Sequence, residues 1–443
     1  MKLLPAVRDR LKTELASVPL AVIASPTGMA NATATQWRPS RPKIPVQVVL
    51  LGVVSFLTDL SSEAIFAFLP LFLVGVLGAS ALTVGVMEGL ADFAASSLDL
   101  ASGYLSDRTG RRKPLAVFGY GFSSFAKLIL LFVKTVPEVV VFRVVERLGK
   151  SIRGAPRDAL LAGVSPASRR GLAFGLHKAF DKAGAVIGPL VAYAILSGRP
   201  TSAETFHFLF AVAAVPAFVA LAVLALTVRE APRTAGRPRP PIRQTLQSAG
   251  APYRRYLISA GLFSLGYSSF AFLLLDANRV GFDAKDVALL YALFNASFTL
   301  VSIPLGRLGD AIGRHALIAC SYLLYAATML GLALFTSQAT VVLLFILYGC
   351  FYAIDEGQTK AFISDLVPDG ARATSLGIYG LTTGVLYLPA SLIGGALWKW
   401  RGPSLTFGFS AVVAAIAFVS FVFSNPTRGS GGQAPPVPPA ADG

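Results

Sequence analysis

Six ionisable side chains share one face of a predicted helix inside an apolar stretch. They form what we call the ionisable stripe: Arg143, Glu146, Arg147, Lys150, Arg153 and Arg157. Their spacing places them on one side of an α-helix, because successive residues are rotated by about 100°. A charged group at the centre of a bilayer costs roughly 2.5–3.5 kcal/mol on insertion scales. We therefore expect the stripe to face a water-filled cavity or charged partners.

Carboxylates that could balance these cations occur in neighbouring apolar stretches. One stretch carries Asp59 and Glu63, and the next carries Glu88, Asp92 and Asp99. Two later stretches add further ionisable groups, which are His177, Lys178, Asp181, Lys182, Asp355, Glu356 and Lys360. For any single residue, an ion pair that merely joins two helices is an alternative interpretation. Buried ion pairs stabilise a fold weakly compared with apolar packing, so the whole set predicts a functional cavity. A carboxylate whose charged partner changes between two conformations could bind a proton in one of them and release it in the other.

The amino-acid composition indicates whether these charges lie in a soluble protein or in a membrane protein. Of the 443 residues, 54% are hydrophobic and only 14% are charged, and the mean hydropathy is +0.64. A water-soluble domain of this length needs a more highly charged surface. The composition therefore indicates a membrane protein and excludes soluble enzymes and nucleic-acid-binding proteins.

Twelve apolar runs each predict one membrane-spanning helix. They lie at about 46–76, 81–103, 114–134, 137–160, 171–197, 206–228, 256–278, 285–306, 316–336, 340–365, 372–397 and 404–424. We predict an all-α membrane protein with two six-helix bundles at residues 46–228 and 256–424. A Pro- and Arg-rich cytoplasmic linker at 229–255 would join the bundles, residues 1–45 would form a cytoplasmic extension, and residues 425–443 a disordered tail.

Basic residues in the connections predict the orientation. The formal net charge is +16, and most connecting arginines lie on the side of both termini. The opposite loops offer little beyond Lys134, Arg199, Lys285, Lys399 and Arg401. By the positive-inside rule, both termini are predicted to be cytoplasmic, in a multi-pass protein of the cell's inner or plasma membrane.

An internal repeat relates the two predicted bundles. The segment from Gly103 to Arg111 recurs, at an offset of roughly 200 residues, as the segment from Gly306 to Arg314. Duplicated halves around a site near the bilayer midplane are typical of secondary transporters.

The first copy of this repeat resembles a loop of the major facilitator superfamily. That family has G-x-x-x-D-R-x-G-R-R/K between its second and third helices, and the matching residues here are Gly103, Asp107, Arg108, Gly110, Arg111 and Arg112. The second copy retains Gly306, Asp310, Gly313 and Arg314. The resemblance covers roughly residues 46–425 and implies the twelve-helix fold of the family. It also implies that these residues form a cytoplasmic gate; the alternative is a generic tight turn.

The same resemblance implies a site and a mechanism. The family lines a central cavity with helices one, four, seven and ten, and Arg143 is similar in position to a fourth-helix arginine linked there to proton coupling. With the charges of the second and fifth helices added, the implied substrate and proton cavity contains Asp59, Glu63, Asp92, Arg143, Glu146, Arg147, Lys150, Asp181, Lys182, Asp355 and Glu356.

A short motif in the fifth run bears on transport direction. Gly184, Gly188 and Pro189 resemble the Gly-x-x-x-Gly-Pro antiporter motif of that family, although Ala192 stands where a further glycine is common. The resemblance implies efflux. Small residues at four-residue spacing also allow close helix packing, which is an alternative explanation.

These observations favour a proton-coupled secondary transporter that exports a small organic solute by alternating access. No G-x-x-x-x-G-K-[ST] loop is present, so ATP is not the expected driving force. Because the cations near the fourth and fifth helices outnumber nearby acids, the alternative is uptake or exchange of an anion such as a carboxylate, phosphate ester or metal-chelate. A non-transporting membrane receptor is a remote alternative.

The sequence predicts neither an enzyme nor a cofactor or metal site. The three histidines are scattered, at positions 177, 207 and 315, and form no catalytic constellation. Cys320 and Cys350 each fall within an apolar run, so no metal site is expected. The expected partners are a small-molecule substrate, protons and the lipid bilayer, with no nucleic acid, and one copy contains a complete pathway and should function as a monomer.

The predicted orientation can be tested with reporter fusions. Green fluorescent protein fused after Gly443 should fluoresce and alkaline phosphatase fused there should be inactive, because that end is expected to be cytoplasmic. Fusions after Arg199 should behave in the opposite way. Active phosphatase at Gly443 would contradict the orientation.

Overall fold

The computed structural model describes residues 45–109, 111–165, 170–230, 250–368 and 371–424, and these ranges contain helices and no strands. We number the helices α1 to α12. In the first half they are α1 (Val46–Phe66, Leu69–Leu71 and Phe72–Val76), α2 (Ala81–Thr109), α3 (Arg112–Ala126 and Ile129–Phe132), α4 (Val136–Val164), α5 (Arg170–Leu196) and α6 (Ala203–Thr227). In the second half they are α7 (Gly250–Leu265 and Phe270–Arg279), α8 (Ala284–Ile312), α9 (Arg314–Leu334), α10 (Gln338–Leu366), α11 (Arg372–Arg401) and α12 (Pro403–Ser424).

Eleven of these helices are long and apolar enough to cross a membrane, and α4 is the exception. Its ionisable stripe lowers its hydropathy below that of a lipid-exposed span. All twelve predicted runs correspond to helices, with ends displaced by at most about six residues. The predicted all-α fold is thus confirmed, and α4 must be shielded from lipid by its neighbours.

Local sequence determines where α4 begins. The Thr135 side chain and the carboxylate of Glu138 form a capping box, in which Glu138 Oε2 accepts hydrogen bonds from the backbone N–H groups of Lys134 (2.7 Å) and Thr135 (2.9 Å). This arrangement satisfies backbone donors that have no partner within the helix. Because it fixes where α4 begins, it also fixes the positions of the ionisable stripe along the helix.

Helix packing repeats between the halves. We call α1–α6 the N half and α7–α12 the C half. In the N half, α1 packs on α5 and α6, and α4 packs on α2 and α3. The C half repeats this pattern: α7 packs on α11 and α12, and α10 packs on α8 and α9. Pro189 and Pro389 lie inside the equivalent helices α5 and α11. The two six-helix bundles are therefore pseudo-symmetric, and they meet through α2 with α11 and α5 with α8.

The halves pack tightly towards one face of the molecule. We call the face where odd-numbered helices begin the terminal face and the opposite face the far face. Near the far face, a Cβ atom on Gly85 of α2 would lie 2.3 Å from the carbonyl oxygen of Ser391 of α11, and one on Gly395 would lie 2.8 Å from Leu82 Cα. The segments Leu69–Leu71 and Phe270–Arg279 also pack together there. The structure is thus closed at the far face.

The predicted extension, most of the linker and the tail fall on residues 1–44, 231–249 and 425–443, outside the described residues. The proposed boundaries of these segments stay predictions.

The fifth-helix glycines pack α5 against the backbone of α1. A Cβ atom on Gly184 would lie 2.4 Å from Phe56 O, and one on Gly188 would lie 2.6 Å from Leu60 O. Gly175 of the same helix is exposed and has no atom within 4 Å of its Cβ position. Close packing therefore explains the two motif glycines in this structure.

A Gly188→Ala substitution should destabilise the protein by about 1–3 kcal/mol, because the new methyl group meets backbone atoms that cannot move aside. Thermal unfolding of purified protein in detergent would measure this change. Gly175→Ala is the matched control and should leave the unfolding midpoint unchanged or slightly raised. Equal midpoints for the two variants would contradict the packing role of Gly188.

Candidate substrate and proton cavity

A cavity of about 640 Å³ lies between the two halves. Its lining includes Asp99 of α2, Arg157 of α4 and Lys360 of α10, which lie towards the terminal-face ends of their helices. Asp99 and Lys360 are exposed. Since the far face is closed by helix packing, the cavity opens towards the terminal face.

Charge is balanced in the lining of this cavity. Its eight acidic side chains are Asp59, Glu63, Glu88, Asp92, Asp99, Glu146, Asp181 and Glu356. Its eight basic side chains are Arg143, Arg147, Lys150, Arg153, Arg157, Lys178, Lys182 and Lys360. Every predicted cavity residue is present except Asp355, which does not line the cavity and whose carboxylate accepts a hydrogen bond from Thr359 Oγ1 at 3.4 Å.

Two ion pairs connect the ionisable stripe to α2. Arg143 binds Glu88 with two hydrogen bonds of 2.9 Å, and its third nitrogen lies 3.3 Å from Glu146 Oε2. One turn later, Arg147 binds Asp92. The side chains of Arg143 and Glu88 are only 8% and 2% exposed. For these residues the alternative of structural ion pairs is supported, because the pairs hold α4 against α2.

Four other cavity carboxylates have no such partner among the described residues, and they are Asp59, Glu63, Asp99 and Asp181. Asp181 accepts a hydrogen bond from Ser55 Oγ at 2.6 Å, and Glu63 accepts one from the Tyr291 hydroxyl. Within the described ranges, no lysine or arginine nitrogen lies within 4.0 Å of Asp59, Glu63 or Asp181. A negative charge on any of these groups is therefore not balanced by a direct ion pair among the described residues.

The two halves contribute different chemistry to the cavity. Seven of the eight acids and seven of the eight bases belong to the N half. The C half instead supplies eight aromatic side chains, which are Tyr267, Phe270, Tyr291, Phe294, Phe298, Tyr348, Tyr352 and Tyr387. Several contact one another, as do Phe270 and Phe294 with ring centroids 4.5 Å apart. The cavity thus has a charged wall and an aromatic wall.

Polar contacts also cross between the walls. Glu63 of α1 and Tyr291 of α8 are hydrogen bonded on the side of the far face. Glu356 of α10 accepts a hydrogen bond from Lys178 Nζ at 2.6 Å, and it lies 3.7 Å from Lys182 Nζ. Both lysines belong to α5. Lys182 Nζ also lies 3.9 Å above the ring of Phe298. Any movement of one half against the other must change these contacts.

Comparison with known proteins identifies the family. The sequence model of the Major Facilitator Superfamily matches residues 51–297 and 256–439. The chain is 36% identical over 382 residues to an uncharacterized MFS-type transporter of Methanocaldococcus jannaschii, which covers 85% of this chain and 94% of the relative. The protein belongs to the Major Facilitator Superfamily. As a member of it, it is a multi-pass membrane transporter.

Other similarities are more distant. The multidrug resistance protein MdtH of Aeromonas hydrophila is 26% identical over 359 residues, covering 78% of this chain and 86% of the relative. The crystal structure of the nucleoside transporter NupG has a TM-score of 0.69 at 14% identity, covering 85% of this chain and 98% of that one. An inward-facing bacterial homologue of the human lysosomal transporter Spinster has a TM-score of 0.68 at 15% identity, covering 89% of this chain and 100% of that one. At such identities the two structures support the superfamily fold alone.

Only part of the predicted superfamily gate can be described. Gly110 and the side chains of Asp107, Arg108 and Asp310 lie outside the described residues. The described arginines make equivalent contacts: Arg112 Nη1 donates to Ala159 O of α4 at 3.1 Å, and Arg314 Nη1 donates to Ala361 O of α10 at 3.3 Å. The internal repeat in the sequence pairs Arg314 with Arg111. By these contacts, however, the structural counterpart of Arg314 is the next residue, Arg112. The gating role stays a prediction.

Sequence reasoning missed one buried cation. Lys127 of α3 is 1% exposed, and its ammonium group hydrogen bonds to Ser61 and Ser62 of α1. The available signal was a lysine within the apolar run 114–134. Sequence reasoning also missed the aromatic wall, because aromatic residues in apolar runs can equally face lipid. Among the described residues, no group of three or more His, Cys, Asp or Glu could hold a metal ion.

A Glu88→Gln substitution should destabilise the protein by about 3 kcal/mol. This is the lower end of the cost of removing one partner from a buried ion pair, since Glu146 remains beside Arg143. The unfolding midpoint of detergent-purified protein would report the loss. The control is Asp283→Asn, because Asp283 is 76% exposed and only 3.9 Å from Lys285, and its effect should stay below about 1 kcal/mol. Similar midpoints for both variants would show that the Glu88 pair is dispensable.

Proposed function

We propose that the protein is a proton-coupled antiporter that exports small organic solutes carrying both a flat apolar part and a charged group. The observation that carries this proposal is the two-sided cavity. Aromatic side chains of the C half can stack against a planar body and attract a cation through the ring faces. Unpaired carboxylates of the N half can bind a positively charged group.

The balanced lining argues against the anionic alternative. Eight bases face eight acids, and the pairs Arg143 with Glu88 and Arg147 with Asp92 already use two of the cations. Asp59, Glu63 and Asp181 offer negative charge without a cation within 4.0 Å among the described residues. A cationic or zwitterionic solute fits such a lining better than a carboxylate or phosphate ester does.

The places where the halves touch support alternating access. The cavity opens to the terminal face while α2 and α11 are packed together towards the far face. Rocking of the halves would open the far face by breaking few polar contacts, chiefly that of Glu63 with Tyr291. Such a cavity supports transport. It supports neither the reception of a signal nor a catalytic activity.

Proton coupling and outward transport rest on further arguments. A cation and a proton that compete for the same carboxylate are exchanged one against the other. Asp59 is the candidate, because it lines the cavity and is in no ion pair among the described residues. Relatives named multidrug resistance protein MdtH support export. So does the resemblance of the α5 glycines to the antiporter motif, although packing also explains those residues.

Transport into proteoliposomes tests the proposal. An imposed pH gradient, acidic inside, should drive accumulation of the planar cation ethidium, and an uncoupler should abolish it. Carboxyfluorescein, a planar anion, should not accumulate. Asp59→Asn should lower gradient-driven ethidium uptake by at least about tenfold, a change of roughly 1.4 kcal/mol in coupling.

Asp283→Asn is the control, since Asp283 is 76% exposed and does not line the cavity. It should transport ethidium at the wild-type rate. Accumulation of carboxyfluorescein in place of ethidium would support the anionic alternative. Uptake that ignores both the pH gradient and the uncoupler would eliminate proton coupling.

A further inference from the structure

Lys127 occupies an unusual position for a charged residue. It lies at the interruption of α3, between Ala126 and Ile129, and only 1% of it is exposed. Its Nζ atom donates to Ser61 Oγ at 2.6 Å and to Ser62 Oγ at 3.1 Å. Within the described ranges, no carboxylate oxygen lies within 4.0 Å of it. Two hydroxyl groups compensate a buried ammonium ion poorly, so this group can lose its charge.

A chain of hydrogen bonds connects Lys127 to the large cavity. Ser62 Oγ accepts from Lys127 and donates to Glu146 Oε1 at 3.2 Å, and Glu146 lines the cavity. A second, small cavity of about 10 Å³ is lined by Lys127, Ser62, Arg143 and Glu146. Its volume is close to that needed for one water molecule. The hydrogen bonds therefore form a continuous path from the buried amine of Lys127 to the large cavity.

We propose that Lys127 is a buried store of an exchanged proton, in addition to the site at Asp59, and that Ser62 and Glu146 conduct this proton between Lys127 and the cavity. In the release step, Lys127 Nζ gives a proton to Ser62 Oγ while the Ser62 hydroxyl proton passes to Glu146 Oε1. The products are a neutral amine, an unchanged hydroxyl group and a neutral carboxylic acid, which then gives its proton to solvent in the cavity. Reloading follows the same atoms in reverse.

The charges around Lys127 are nearly balanced. Helix α4 presents Arg143, Lys150 and Arg153, which oppose a charge on Lys127, together with Glu146, which favours it. Helix α1 adds the acidic Asp59, and α2 adds Glu88 through Arg143. On α6, His207 lies at the far-face end and bonds to Val133 O. A cation entering the cavity beside Glu146 would therefore repel the proton from Lys127, which is the exchange that antiport requires.

This inference rests on the proposed proton coupling, and the α1 hydroxyls provide a matched test of it. In proteoliposomes, Ser62→Ala should lower ethidium uptake driven by a pH gradient at least tenfold, because the conducting hydroxyl is lost. Exchange of radiolabelled ethidium against unlabelled ethidium needs no net proton movement and should stay within twofold of wild type. Ser61→Ala removes the other hydroxyl bound to Lys127 but spares the chain to Glu146, so gradient-driven uptake should fall less than in Ser62→Ala.

Retained gradient-driven uptake in Ser62→Ala would overturn the inference. So would equal loss of uptake and exchange in that variant, because a structural defect affects both. Lys127→Gln should retain exchange and weaken its dependence on pH, with the remaining dependence due to Asp59.

Direct titration separates this inference from the proposed function. Between about pH 5 and 9, where a buried lysine can titrate, the purified wild-type protein should bind one proton more than Lys127→Gln. An equal number of protons would show that Lys127 keeps its charge and would overturn the inference. If the extra proton is found but wild-type protein does not transport ethidium, the proposed function fails while the proton site stands.

Discussion

Ionisable side chains within the thickness of a bilayer need either water or a charged partner, and this requirement organises the whole molecule. Helix α4 carries too many charges to face lipid, and among the described helices it alone is too polar to cross a membrane by length and composition. The fold shields it by packing α2 and α3 against it and by opening a cavity along its charged face. Glu88 and Asp92 of α2 complete the arrangement by neutralising the first two arginines of the stripe.

A symmetric scaffold carries an asymmetric lining. The halves repeat the same helix contacts, the same proline within α5 and α11, and the same arginine-to-carbonyl contact at the terminal face. The cavity nevertheless receives most of its charge from one half and most of its aromatic surface from the other. Duplication thus determines how the halves can move, while side-chain divergence determines what the cavity can bind. The polar contacts that join the two walls, such as that of Glu63 with Tyr291, must break when one half rotates against the other.

The sequence predicted the scaffold well, because membrane spans depend on length and hydropathy, both of which are local properties. It also predicted most charged residues of the cavity, since charges in apolar runs must avoid lipid. It did not predict the partners: Arg143 binds Glu88, 55 residues away, and that pairing depends on helix register that no local pattern contains. Asp355, which the sequence predicted to lie in the cavity, does not line it in the structure, and its carboxylate accepts a hydrogen bond from Thr359.

The least predictable features are those made by ordinary residues. In the sequence, Ser61 and Ser62 cannot be told from other small residues of a membrane helix. Only their hydrogen bonds to Lys127 distinguish them. The same holds for the tyrosines of the aromatic wall. Such sites arise from contacts between helices distant in sequence, so periodicity and motif spacing do not reveal them.

The central claim is that the charged cavity is exposed to the two faces in turn. Electron paramagnetic resonance distances between spin labels test it most directly, with one pair at Leu172 and Ile312 near the terminal face and another at Thr201 and Thr336 near the far face, all of them exposed. On changing pH or adding ethidium, the account predicts that one distance shortens while the other lengthens. Two distances that stay fixed, or that change in the same direction, would contradict it.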